Sequence, residues 1–488
     1  MDANNQHIAI IGGGLTGLAA AFYLQRKIEE EHLPYQVVLI ESSDRLGGKM
    51  QTVIRDGFVI ERGPDSFLAR KKSMTKLAED VGMEGAIVPN STGQSYILID
   101  NQLLPIPGGA VLGIPTEISP FIKSRLFSPI GKMRAAMDFV LPRSKETGDQ
   151  PLGPFLRRRL GDEVVENLVE PLMSGIYAGD LDQLSILSTF PDMLETEQKH
   201  RSLILGTKKN RTSSIKTQKK DTDEKKPDHR IGMFRTFEQG LQSFIDAIED
   251  KLPSHMVRKN LSVESVTKQE KGYSIGLSNG EFMQAAAVIV TAPHQAIPHM
   301  FPDHSFFEPF EHMPSTSVAT VSLAFDESAV QQDINGTGFV VSRNSPCRIT
   351  ACTWTHKKWP HSTPKGKVLL RCYVGRPGDE GIVDLSDDEI VQIVLQDLNQ
   401  IMNIKEEPQF TVVSRWREAM PQYRVGHTST LRRIESSMAA ELPGVYLAGA
   451  SHKGVGMPDC IDQGVAAVGK VLDYMKQVNA EKEMASIT

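Results

Sequence analysis

Near its start the chain reads IAIIGGGLTGLAAAFYLQ, an apolar run that breaks into three consecutive glycines and resumes with helical spacing. HIAII is short, apolar and β-branched, the pattern of a buried strand. LTGLAAAFYLQRKI places Leu15, Leu18, Ala19 and Phe22 on one helical face. Gly12, Gly14 and Gly17 form GxGxxG across the junction, with Gly13, Leu15 and Thr16 between them. In such a unit the first glycine makes the tight turn, the second lets a pyrophosphate approach the backbone, and the third lets helix and strand pack closely. Free N–H groups and the positive end of the helix dipole then hold the phosphates. The motif directs the chain to the α/β class, with a doubly wound, Rossmann-like dinucleotide-binding domain. A tight strand–helix turn without a ligand is the plain alternative, and context decides against it.

A second strand, YQVVLIE, ends in Glu41, where a carboxylate accepts the ribose hydroxyls of an adenosine. The stretch to Glu41 is longer than usual, and RKIEEEHLPY accounts for it as a longer helix end and loop. SSDRLGGKM then supplies Gly47 and Gly48, flanked by Arg45 and Lys49. A nicotinamide unit has no such pair, which suggests a second close approach to the same ligand. ERGPDSF, at 61–67, marks a rigid loop. At the other end, GVYLAGASHKGVGMPDCIDQGVAAVGKVL reads as a strand (445–448), a glycine-rich loop (449–456) and a helix from about Pro458. A helix N-terminus aimed this way suits the negative charge that a reduced flavin carries at its N1–C2=O edge. An extended FAD would meet the N-terminal motifs with its adenosine and the C-terminal one with its ring.

These stretches resemble the FAD-dependent amine oxidase and porphyrinogen oxidase superfamily. EPLMSGIYAGDLDQLS (170–185), GMFRTFEQGLQSF (232–244) and RWREAMPQYRVGH (415–427) narrow the resemblance to the porphyrinogen oxidases. They are nearest the Gram-positive bacterial type, which oxidises coproporphyrinogen III, and the similarity runs through nearly the whole chain. The resemblance implies FAD, with its pyrophosphate on Gly12 to Gly17 and its ribose at Glu41 and Ser42, with Lys49 nearby. It places Gly63, Pro64, Asp65 and Ser66 along the ring, the backbone of Val263 at the adenine, and Trp416, Val455, Gly456 and Met457 near the flavin. Taken singly, Val263 and Trp416 read equally well as core packing.

The same resemblance implies three hydride removals from a porphyrinogen in haem biosynthesis, with electrons returned to dioxygen as hydrogen peroxide. A propionate-bearing substrate calls for cations. LARKKS follows the flavin loop and offers Lys71 first and Arg70 second, a solvated helix start being the plain alternative. Gly175 and Tyr177 match a substrate-facing turn of the family. Plant-type enzymes carry an arginine anchor where TGQSYIL here offers Ser95, which favours a roomier site for four propionates. No general base stands out and no Ser/His/Asp or Cys/His set is present. His294, His427 and His452 lack metal-ligand spacing, so no metal is expected.

The 488 residues suggest about three domains, or two with large insertions. The expected FAD-binding domain joins 1–90, 230–295 and 410–475, with AAAVIVTAP as a further buried strand. A mixed-sheet substrate domain takes 91–110 and 296–409, including SVATVSLAF, GFVVSR and KVLLRCYVG. A helical subdomain takes 111–205, in which FLRRRLGDEVVENLVEPLMSGIY reads as an amphipathic helix. Residues 206–229 are too polar to bury a core and are expected as a disordered loop, with a frayed tail at 476–488.

A net charge of −6, and the absence of aromatic interleaving in that loop, argue against nucleic acid as a partner. The expected partners are the porphyrinogen, dioxygen and a ferrochelatase. Cys347, Cys352, Cys372 and Cys460 form no CxxC pair, which fits a reducing compartment. With no run of about 18 apolar residues and no room for a leader before Ile8, the expected location is cytoplasmic. Contact with the inner face of the membrane would be at most peripheral, since RRRLGDEVVE mixes its charges. Competing readings within the fold are a protoporphyrinogen IX oxidase, a flavin amine oxidase, a carotenoid desaturase and a non-catalytic binding protein. The amine oxidase would need an aromatic cage, yet only 6% of residues are aromatic. The binding protein would show degraded glycine motifs.

Overall fold

The computed structural model describes residues 7–218, 232–331 and 335–487. HIAII forms the central strand His7–Ile11 of a five-stranded sheet. The order across that sheet is Val257–Arg258, Gln36–Ile40, His7–Ile11, Ala287–Val290, Val445–Leu447. Every pairing is parallel. All four residues of Ala287–Val290 are buried, as a sheet covered on both faces requires. Helices Leu15–Glu31, Leu241–Glu249 and Met457–Ile487 cover one face. The antiparallel meander Val263–Lys268, Tyr273–Leu277, Phe282–Ala285 and helix His427–Glu441 cover the other. Chain order reverses between His7–Ile11 and Ala287–Val290, and the carboxyl ends of strands at such a switch point are where these sheets bind ligands.

A seven-stranded mixed sheet stands beside it, in the order Phe410–Pro421, Ser315–Asp326, Lys367–Val374, Ile349–Trp354, Gly338–Val341, Tyr96–Ile99, Gln102–Pro105. Only the pairing of Gly338–Val341 with Tyr96–Ile99 is parallel. Helix Asp387–Met402, started by a capping box between Ser386 and Glu389, packs its apolar side on this sheet. The expected grouping of 410–475 with the dinucleotide unit therefore divides. Phe410–Pro421 pairs with Ser315–Asp326 at the edge of the mixed sheet, and only the chain from His427 onward joins the parallel one.

Two further expectations need correction. The stretch 155–177 is not one helix. Gly161, at φ 86°, ends Leu152–Leu160, and a wide π-turn at Val165–Val169 precedes Glu170–Tyr177. Pro171 lacks the N–H that an α-turn would donate to the Asn167 carbonyl, so the wider turn forms there. Residues 206–218, expected as loop, continue the helix Leu203–Gln218, which Leu203 and Ile204 anchor in the core of the helical layer. The rest of the expected disordered stretch, 219–229, lies outside the described residues. Among the described residues, no helix is long and apolar enough to cross a membrane.

Candidate functional site

One cleft of about 2750 Å³ runs from the switch point of the parallel sheet to the face of the mixed sheet. Single-ligand pockets are roughly 300–1,000 Å³, so this cleft has room for a large cofactor and a large substrate together.

Its first end is built from backbone. Gly12 turns at φ 103°, and Thr291, which follows the neighbouring strand, donates its hydroxyl to the Gly12 carbonyl at 2.9 Å. A Cβ on Gly17 would overlap the Gly12 carbonyl oxygen, so this glycine serves helix packing. A Cβ on Gly14 would meet nothing within 4 Å, which leaves open the space where a phosphate must come close. The Gly13 N–H donates to the Glu41 carboxylate at 2.6 Å, and the Gly47 N–H donates to the Gly13 carbonyl at 2.8 Å. The two glycine motifs thus form one cradle. Gly12, Gly14, Leu15, Thr16, Glu41, Ser42 and Val263 face the cleft, while Gly13 and Gly17 stand behind its wall.

The 61–67 loop makes the middle of the wall. Gly63 passes so close to the Lys49 carbonyl that a side chain there would overlap it. The Arg371 guanidinium donates to the Gly63 carbonyl, and the Trp416 indole donates to the Arg62 carbonyl at 2.8 Å. Asp65 receives Lys358 at 2.7 Å and the Trp359 indole at 3.3 Å, and Ser66 donates to it at 2.8 Å. Burial alone would raise this carboxyl, but Lys358 and Arg371 hold it below its ordinary range. Pro64 and Ser66 line the cleft beside it. Burial pushes Glu61 up to about 7, even though it accepts the Leu241 N–H at 2.7 Å and so caps the helix that starts there. The Lys49 side chain reaches into the cleft, donates to the Ala419 carbonyl, and is lowered by the protein around it.

The C-terminal loop closes over the same cleft. Val455, Gly456 and Met457 line it, and the helix begins at Met457. Tyr423 fixes the loop by donating to the Ala450 carbonyl and accepting the Gly454 N–H at 3.1 Å. His294, His427 and His452 gather at the loop as buried groups, and His427 and His452 line the cleft. The Nε2 of His427 lies 2.8 Å from the His452 carbonyl, and that of His294 lies 2.9 Å from the Met313 carbonyl. Burial lowers His452 to about 3. No group of His, Cys, Asp and Glu that could hold a metal occurs among the described residues.

The far end is built from side chains. Lys71 and Arg70 both face the cleft. Lys71, however, forms an ion pair with Asp459 in the first turn of the C-terminal helix. Arg70 makes no ion pair among the described residues. Gly175 and Tyr177 face the chamber from helix Glu170–Tyr177. A Cβ on Gly175 would meet nothing within 4 Å. Burial raises the Tyr177 phenol to about 12, with Asp459 adding to it. Ser95 lines the same cleft but is bound to Thr337 at 2.6 Å.

Sequence reasoning missed Arg371, Tyr373, Lys358 and Asp459. Arg371 had a signal: a charged residue within the apolar run KVLLRCYV must face a polar partner or a ligand. Lys358 and Asp459 had none, since their partners lie 293 and 388 residues away.

Residues 15–472 match the family of flavin-containing amine oxidoreductases. The chain is 54% identical over 475 residues to coproporphyrinogen III oxidase of Bacillus subtilis, covering 97% of this chain and 100% of that protein. It is 45% identical to the protein of the same name from Staphylococcus aureus, covering 95% and 98%. A crystal structure from an Exiguobacterium species, provisionally named protoporphyrinogen oxidase, superposes with a TM-score of 0.83 at 38% identity, covering 96% and 98%.

Proposed function

The chain belongs to the family of flavin-containing amine oxidoreductases, on its FAD-dependent porphyrinogen oxidase branch, and from that premise we propose that it oxidises coproporphyrinogen III to coproporphyrin III in haem biosynthesis. The observation that carries this reading is that one cleft joins a glycine-built dinucleotide cradle to a chamber edged by cations. The residues fit FAD. Gly14 leaves a space that any side chain would fill, Glu41 stands at the strand end for a ribose, and a helix N-terminus begins at Met457. Gly12 to Gly17, Glu41, Ser42 and the Val263 backbone would hold the adenosine diphosphate half. Lys49, Gly63 to Ser66, Trp416, Val455, Gly456 and Met457 would hold the ring half.

When bound, FAD supplies a two-electron acceptor for each of three successive oxidations. The chain's own part is to position and to enclose. Arg371 holds the 61–67 loop against the mixed sheet through Gly63, which sets the depth at which a macrocycle stops. The Asp65–Lys358 pair locks the same loop from behind. Tyr177 and Gly175 present one wall of the chamber and Tyr373 faces it from the sheet. Aromatisation of the tetrapyrrole supplies the driving force, so orientation and exclusion of water suffice for large effects. Arg70 and Lys71 would meet propionates. The same reading takes dioxygen as electron acceptor and a ferrochelatase as the enzyme that receives the porphyrin, supported by the resemblance alone.

The test compares oxidation of coproporphyrinogen III and protoporphyrinogen IX under air by the rise of porphyrin fluorescence. A clear preference for the copro substrate is expected. Preference for the proto substrate would favour the second reading, which the name of the Exiguobacterium structure supports. Oxidation of neither would remove both.

A further inference from the structure

Strands Gly338–Val341 and Lys367–Val374 both pair antiparallel with Ile349–Trp354, so they run the same way and end at one edge of the mixed sheet. Arg343 stands two residues beyond the first and Arg376 two beyond the second, and both line the cleft. Along Lys367–Val374 the cleft is lined by Arg371, which grips the flavin-side loop, and then by Tyr373 and Val374. Arg376 lies five residues past Arg371, at most about 18 Å of extended chain. The strand thus runs away from its contact with Gly63 toward the sheet edge where Arg343 also stands.

The Arg376 guanidinium makes no hydrogen bond or ion pair among the described residues. Arg343 has one loose partner, Asp180 at 3.6 Å. Across from them, helix Glu170–Tyr177 packs on Gly338–Val341 and Ile349–Trp354 and brings Glu170, only 8% exposed, to the cleft. The Glu170 carboxylate makes no hydrogen bond among the described residues. Burial raises its carboxyl, and the positive charges of Arg343 and Arg376 act against that rise. With the Arg343 side chain 45% exposed and Arg376 half-buried, both guanidinium groups are hydrated donors at the cleft, and a guanidinium fork matches a carboxylate in both shape and charge.

We propose that Arg376, assisted by Arg343, forms a second carboxylate subsite that holds propionate groups at the end of the chamber remote from Arg70 and Lys71, with Glu170 as the resident competing carboxylate. This rests on the porphyrinogen reading above and deepens it. A macrocycle held at both ends would be registered against the flavin. It would also be selected by its number of propionates, four being able to engage both ends.

The experiment uses the FAD-loaded enzyme with Arg376→Gln, Arg376→Lys, Arg343→Gln and Glu170→Gln. It measures KM and kcat for coproporphyrinogen III and protoporphyrinogen IX, and the Kd for coproporphyrin III by fluorescence quenching. Loss of one charge-assisted pair should raise KM for the copro substrate and Kd for its porphyrin roughly tenfold. The change should fall on KM rather than kcat and be smaller for the two-propionate substrate. Arg376→Lys should recover part of the loss, and Glu170→Gln should lower the copro KM. An unchanged ratio of copro to proto KM in Arg376→Gln would overturn the subsite while leaving the function intact. Failure of the wild-type enzyme to oxidise either porphyrinogen would instead remove the reading beneath it.

Discussion

The two ends of the cleft are made of different material. At the dinucleotide end the wall is main chain: Gly12, Gly14, Gly47 and Gly63 are places where a side chain would collide or block. At the other end the wall is side chains brought from a loop at 69–71, a helix at Glu170–Tyr177 and a strand at Lys367–Val374. A backbone cradle demands glycine at fixed spacing and leaves a pattern in the sequence. A side-chain chamber demands only that distant residues converge, and convergence leaves no local pattern.

The sharpest test of that contrast separates two glycines three residues apart. Gly14→Val should fold, because its side chain enters open space, but should purify with less than roughly a tenth of the flavin, read from absorbance. Gly17→Val drives atoms into the Gly12 carbonyl and should cost about 3 kcal/mol or more of stability, read as a lowered Tm. A Gly14→Val protein with full flavin would show that the loop does not cradle the cofactor.

The next effect belongs to the joint between the two ends. Glu61 ties the 61–67 loop to the start of Leu241–Glu249, and burial raises it from an ordinary 4.5 to about 7. Because the folded value is the higher one, the stabilisation is present below pH 4.5 and is lost as pH rises through 7. The amount is on the order of 3 kcal/mol. His452 has the opposite sign: its folded value, about 3, lies below the ordinary 6.5, so its contribution is lost as pH falls below 6.5. Thermal melts from pH 4 to 8 should therefore flatten on the alkaline side in Glu61→Gln and leave the acid limb in place. Identical profiles for variant and wild type would mean that Glu61 is charged and well solvated in the fold.

How far each end was legible follows from the same physics. The strands His7–Ile11 and Val445–Leu447 and the helix Leu15–Glu31 were readable because hydrophobic period and glycine spacing agree. The edge strand Phe410–Pro421 was misplaced because its half-exposed residues show no clean alternation that names a partner sheet. The break at 161–169 was missed because apolar period continues through a turn that only Pro171 and Gly161 impose. Residues 206–218 are polar enough to read as loop, yet helix propagates from the buried Leu203 and Ile204. At the substrate end, Lys71 was legible as a cation, but not as one already paired with Asp459.

A smaller effect probes the chamber itself. Gly175 faces it with free space at its Cβ, so Gly175→Leu should fold and keep its flavin. It should raise KM for a porphyrinogen roughly tenfold by occupying volume. Unchanged kinetics would mean that the macrocycle never reaches this wall, and that the substrate end begins elsewhere in the cleft.

The smallest expected effect decides what Lys71 is for. Lys71 and Asp459 are 37% and 29% exposed, so water screens their pair, and a double-mutant cycle on Lys71→Ala and Asp459→Asn should give a coupling of about 0.5–1 kcal/mol in urea unfolding. Substrate kinetics separate the two roles that stability cannot. If Lys71 is a propionate anchor restrained by Asp459, then Asp459→Asn releases it, and KM for coproporphyrinogen III should fall a few-fold while Lys71→Ala raises it. If Lys71 only neutralises Asp459 at the helix start, Asp459→Asn leaves KM where it was and Lys71→Ala acts on stability alone. In that case the uncommitted cations, Arg70 and Arg376, carry the substrate between them, and the substrate end owes nothing to the one cation that the sequence singled out first.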